Sequence, residues 1–65
     1  MKYTIKARQG SFTITLTAQG WVTDTKPCVP YTSFFDNFDD AVKAMNLNRT
    51  EFFDDTWVQP VYGTL

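Results

Sequence analysis

Carboxylates, one thiol and a few cations are what this 65-residue chain offers for chemistry; it has no histidine. The acids include two adjacent pairs, Asp39-Asp40 and Asp54-Asp55. Paired carboxylates serve as general acid and base when one of them is desolvated and kept protonated near neutral pH. Adjacent acids at a helix start and in a loop fit solvated caps and turns better. A hard cation wants several oxygens, but the run from Asp36 to Asp40 lacks the ligand order and the glycine of an EF-hand. Cys28 stands between Pro27 and Pro30 with only Lys26 as a neighbouring cation, so it fits a small, partly buried residue better than a reactive thiol. One cysteine without histidine excludes a Cys/His zinc site within one chain and any internal disulfide. It also excludes hydrolysis by a Ser/His/Asp or Cys/His arrangement. The glycines are scattered at Gly10, Gly20 and Gly63, so there is no glycine-rich phosphate loop. The expectation is a non-enzymatic protein with no catalytic residues, no metal and no cofactor.

Charge is divided along the chain. Lys2, Lys6, Arg8 and Lys26 stand against Asp24 in the first 26 residues, a balance of +3. Between Asp36 and Asp55, six acids stand against Lys43 and Arg49, a balance of -4. Such asymmetry offers a charged face to a partner. The basic half fits a nucleic-acid face of Lys2, Lys6, Arg8 and Lys26 among threonines. Against that stand a pI near 4.9 and the placing of Tyr3 and Phe12 on the opposite side of the strands, where they offer no stacking to bases. The acidic half carries more large aromatics than one helix on four strands will bury, and exposed aromatics anchor protein interfaces. Phe34, Asp39, Asp40, Phe53, Asp54, Asp55 and Trp57 are therefore the candidate partner-binding residues, with acids suited to a basic partner surface.

These residues must be positioned by a small fold. Tyr3, Ile5 and Ala7 alternate with Lys2, Thr4, Lys6 and Arg8, and Phe12, Ile14, Leu16 and Ala18 alternate with Ser11, Thr13, Thr15 and Thr17. Period-two alternation predicts strands at about 2–8 and 11–18. A Gln9-Gly10 loop sets Ala7 opposite Phe12 and Ile5 opposite Ile14. Ala18-Gln19-Gly20-Trp21 repeats the turn pattern and predicts a third strand at about 21–26, with Ala18 opposite Trp21. Pro27 and Pro30 end it. Phe35, Phe38, Val42 and Met45 form an apolar stripe, acids crowd the first turn, and Ser33 or Asp36 suits a cap, so a helix is expected at about 36–46. Residues 50–55 fit either a helical turn capped by Thr50 or a brief strand. A final strand at about 56–62 carries Pro60, which assigns it to a sheet edge or turns the proline nitrogen outward.

The whole reads as one small α+β domain: a three-stranded antiparallel meander, a helix on one face and a C-terminal edge strand. A chain this short buries only about 60% of its unfolded surface, and eleven aromatics are one way to fill a core without staples. No apolar run is long enough for a signal peptide or a membrane span, so the expected setting is cytoplasmic, away from membranes. In size and composition the chain is similar to the small inhibitors of phages and mobile elements, which block host enzymes by occupying a surface. The expected function is a protein-binding module that inhibits or regulates a partner with a basic surface, such as a host nucleic-acid-handling protein. The alternative is nucleic-acid binding by the basic face of the N-terminal hairpin. A homodimer through Pro60's edge or the spare aromatics stays open.

Overall fold

The computed structural model describes residues 2–23 and 32–61. The order of elements is β1 (Lys2–Gln9), β2 (Phe12–Thr17), β3 (Gly20–Thr23), α1 (Phe38–Asn48) and β4 (Asp55–Val61). The four strands form one antiparallel sheet in the order β3-β2-β1-β4, and α1 packs against β1 and β4. This is the α+β class that the alternation and the apolar stripe predict. Alternation sends Ile5 and Ala7 of β1, and Ile14 and Leu16 of β2, to the helix side. With Ala41 of α1 they make up the buried apolar core of the described residues.

Both hairpins differ from the predicted register by two residues. In the first, Gln9 pairs with Phe12 and Ala7 with Ile14, so the loop is Gly10-Ser11. Gly10 then takes the first loop position at φ 63°, where two-residue hairpin turns need a left-handed residue. In the second, Thr17 pairs with Gly20 and Leu16 with Trp21, so the loop is Ala18-Gln19. Gly20 opens β3 at φ 100°. Here Thr17 shapes the turn: its Oγ1 accepts from the Gln19 N–H at 3.1 Å and donates to the Gly20 carbonyl at 2.7 Å. Because each shift is an even number of residues, every side chain keeps its predicted face. The described part of β3 ends at Thr23, and Lys26, Cys28 and the prolines around it lie outside the described residues.

β1 and β2 pair only from Gln9↔Phe12 to Lys6↔Thr15. Beyond that the two strands fork, and residues 32–35 fill the opening. Thr32 bridges Thr17 on one side and Phe35 bridges Tyr3 on the other. Ser33 N–H donates to the Leu16 carbonyl at 3.2 Å, and Tyr3 and Phe35 exchange two backbone bonds of 2.8 and 2.9 Å. On its other side Tyr3 lies opposite Pro60 of β4. Tyr3 has already spent both backbone groups on Phe35, so the missing proline N–H costs the sheet nothing. Pro60 thus meets both expectations, on an edge strand and facing its nitrogen outward.

The helix begins and ends two residues later than predicted. Neither Ser33 nor Asp36 caps it. Asn37 does, with extended backbone (φ -125°, ψ 131°) and a side-chain oxygen that accepts from the Asp39 N–H at 2.7 Å. The helix runs through Asn46 and closes at Asn48, whose amide donates to the Ala44 carbonyl at 2.7 Å. Residues 50–53 take the first of the two expected forms, a single turn capped by Thr50, and not the brief strand. Thr50 closes a turn, its Oγ1 accepting from Phe52 N–H at 3.2 Å and its carbonyl from Phe53 N–H at 3.3 Å, and β4 then starts at Asp55.

A Cβ added at Gly20 meets nothing within 4 Å, so any cost there is purely conformational. Gly20→Ala should lower unfolding free energy by about 1–2 kcal/mol, measured by urea denaturation, with the folded-state spectrum unchanged.

Candidate functional site

Two aromatic clusters fix the ends of α1 against the sheet. At its start, the Phe38 ring meets Tyr3 edge-on, with centroids 5.6 Å apart. At its end, the Trp21 indole N–H donates to the Asn48 carbonyl at 3.2 Å, and its ring packs edge-on against Phe53 at 4.9 Å. Each such pair adds about 0.5–1.5 kcal/mol beyond the area it buries. A second clamp holds the loop after α1 to the hairpin tip. Asp54 N–H donates to the Arg8 carbonyl at 2.8 Å, and its carboxylate accepts the Gly10 N–H at 2.8 Å.

The seven predicted partner-binding residues do not form one site. Phe34, Asp39 and Asp40 lie together around the start of α1, all exposed. Phe53 is half-buried under Trp21. Asp54 and Asp55 are exposed at the hairpin-tip end, but both accept backbone N–H groups of this chain, Gly10 for the first and Thr56 for the second. Trp57 is half-buried and pairs with Lys6 on the sheet face away from the helix, its indole N–H donating to Gln59 Oε1 at 3.0 Å.

Sequence reasoning missed Phe38, which belongs to the predicted inward stripe yet is 51% exposed. It occupies the first helical position, just after the chain leaves the fork between β1 and β2, and its ring meets Tyr3. It also missed Leu47 and Phe52, exposed at the other end of the helix. The signal for Leu47 was available: it falls outside the spacing of Val42 and Met45. Phe34 and Phe38 thus precede two carboxylates that Asn37 holds in a capped first turn. Asp36, next to them, makes an ion pair with Lys2.

The candidate nucleic-acid face has changed in character. Lys2, Lys6 and Arg8 share the outer sheet face with Thr4, Thr15 and Thr17, but these threonines are buried, Thr15 to 1% exposure. Their hydroxyls are spent inside the protein. Thr15 accepts from Lys6 Nζ at 2.8 Å, Thr4 donates to the Gln59 carbonyl at 3.4 Å, and Thr17 serves the second turn. Lys2 is committed to Asp36, and Lys26 lies outside the described residues. The expectation that this face lacks an aromatic also needs correcting, since the β1–β4 register brings Trp57 to it.

Among the described residues, no group of three or more acids or cysteines is placed to hold a metal ion, and no helix is long and apolar enough to cross a membrane. No family model, curated protein or solved structure matches the chain.

The Lys2 hydrogen bond, and then its charge, hold the Asp36 carboxyl below its ordinary value of 3.8. A carboxyl lowered in the folded state contributes stability above its unfolded pKa and loses it as pH falls through the folded one. Asp36→Asn should therefore lower stability slightly near pH 7, where the contribution is fully present, and bring the two proteins together as pH falls below about 4; pH-dependent denaturation of both proteins measures it. Asn37→Ala should cost about 1 kcal/mol and increase amide exchange in the first turn that carries Asp39 and Asp40.

Proposed function

We propose that this protein is a non-enzymatic binding module that inhibits or regulates a protein partner by covering its surface, and that it engages the partner with the start of α1. One observation carries the reading: Phe34 and Phe38 are large, half-exposed aromatics in the stretch that leads into the exposed Asp39-Asp40 pair. Aromatic anchors supply most of the binding energy of an interface, and a rim of one charge selects a partner of the other. Among the described residues, neither Asp39 nor Asp40 commits its carboxylate to an ion pair or hydrogen bond, whereas Asp36 does. The surface is also held in shape beforehand, by the Asn37 cap and the Tyr3–Phe38 ring contact, which limits the ordering cost of binding. The partner fitted to it is a protein with a basic surface patch, the kind that nucleic-acid-handling proteins carry. A cytoplasmic setting and an origin in a phage or mobile element belong to the same proposal and rest on size and composition.

Nucleic-acid binding through the outer sheet face is the less favoured reading. The buried threonine hydroxyls are not offered to phosphate, and two of its cations already have partners in the chain. Arg8 and Trp57 are what that face has left to give.

The test is capture from nuclease-treated native lysate, followed by affinity measurement with the purified captured protein. Phe38→Ala should weaken binding about tenfold or more, and Asp39→Lys with Asp40→Lys should abolish it. Asp54 is a poorer choice for charge reversal, since changing it also releases the hairpin tip. If the Asp39/Asp40 variant binds as wild type does, or if everything captured is lost with nuclease, the reading is wrong.

A further inference from the structure

We infer that the opposite end of α1 is a self-association surface, which pairs with the same surface of a second copy of this chain. The residues are Leu47, Phe52 and Phe12, exposed to 85%, 76% and 60%. They come from three separate stretches, and two contacts bring those stretches to one end of the molecule. Trp21 binds Asn48, next to Leu47, and also Phe53, next to Phe52. Asp54, two residues after Phe52, binds Gly10, two residues before Phe12. Phe12 lies on the helix side of the sheet, because it follows the parity of Ile14 and Leu16. The sheet's hairpin tip, the helix end and the Thr50 turn therefore form one locked corner with three large apolar side chains facing water.

Charge distinguishes this corner from the start of α1. The helix start is rimmed by acids, with Lys2 already spent on Asp36, so two copies brought together there would repel. The far corner carries both signs: Arg49 beside Glu51, both exposed, while Arg8 and its cross-strand partner Asp55 lie on the outer sheet face. Among the described residues, neither Arg49 nor Glu51 makes an ion pair. A two-fold interface sets a patch against itself, so it must be self-complementary. A corner of mixed sign satisfies that, Arg49 finding Glu51 of the other copy, and apolar side chains lie beside the charges to supply the burial. The two ends of α1 thus serve different occupants, the acidic one a basic protein and the mixed one a second copy. This inference does not depend on the partner reading.

Sedimentation equilibrium of the purified full chain, from about 1 μM to about 1 mM, tests it. The expected result is a mass rising with concentration from 7.5 kDa towards twice that value. Leu47→Glu with Phe52→Glu should hold the protein at the monomer mass throughout, with an unchanged far-UV spectrum. Arg49→Glu should shift the midpoint to higher concentration. Asp39→Lys with Asp40→Lys should leave the dimer intact, which separates this surface from the partner surface. A wild-type protein that stays monomeric over the whole range overturns the inference. So does a dimer that survives the Leu47 and Phe52 changes.

Discussion

How little apolar volume lies between the helix and the sheet governs the rest of this protein. The buried core among the described residues is Ile5, Ala7, Ile14, Leu16 and Ala41, and two of the five are alanines. Alanine on both layers lets the layers approach closely, at the cost of area removed from water, which is the main source of stability in a small domain. The structure offsets this at the ends of α1. Tyr3 with Phe38 and Trp21 with Phe53 act as edge-on clamps. The clamps are only half covered, and their neighbours Leu47 and Phe52 are covered less still. Exposed anchors are thus a direct outcome of the packing.

The two-layer architecture was legible because alternation is strict in β1 and β2, and because acids and apolar residues divide cleanly along α1. The register was not. An even shift preserves faces, so Ala7 opposite Phe12 and Ala7 opposite Ile14 satisfy the hydrophobic pattern equally well. The choice is made by where each glycine can place its positive φ, and by Asp54 and Thr17, which bind the two turns. Asp54 is distant in sequence from Gly10, and no local rule connects them. The cap shows the same limit: Asp36 is a good cap by type, but Lys2 takes its carboxylate, and Asn37 does the work one residue on.

The candidate site was partly legible for a related reason. Composition alone says that some aromatics must stay outside, and it favours those beside acids. Phe34, Asp39 and Asp40 follow from that. Which aromatics remain outside depends on three-dimensional cover: Phe53 finds Trp21, while Phe52, beside it in sequence, points to solvent. The outer sheet face shows the converse. A Lys/Thr alternation looks solvated in sequence, yet in a sheet the lysine stem and cross-strand neighbours close over a threonine such as Thr15.

The fork between β1 and β2 reaches as far as the outer edge of the sheet. Because Phe35 takes both backbone groups of Tyr3, β4 can carry a proline opposite it, with the proline nitrogen turned to the open edge. A foreign strand laid along β4 finds a gap in the row of donors where Pro60 stands. Fibril growth by strand addition requires an unbroken row of donors and acceptors, so this edge is a poor seed for it. The protein can display sticky side chains at its corners while the β4 edge of its backbone stays closed to endless stacking.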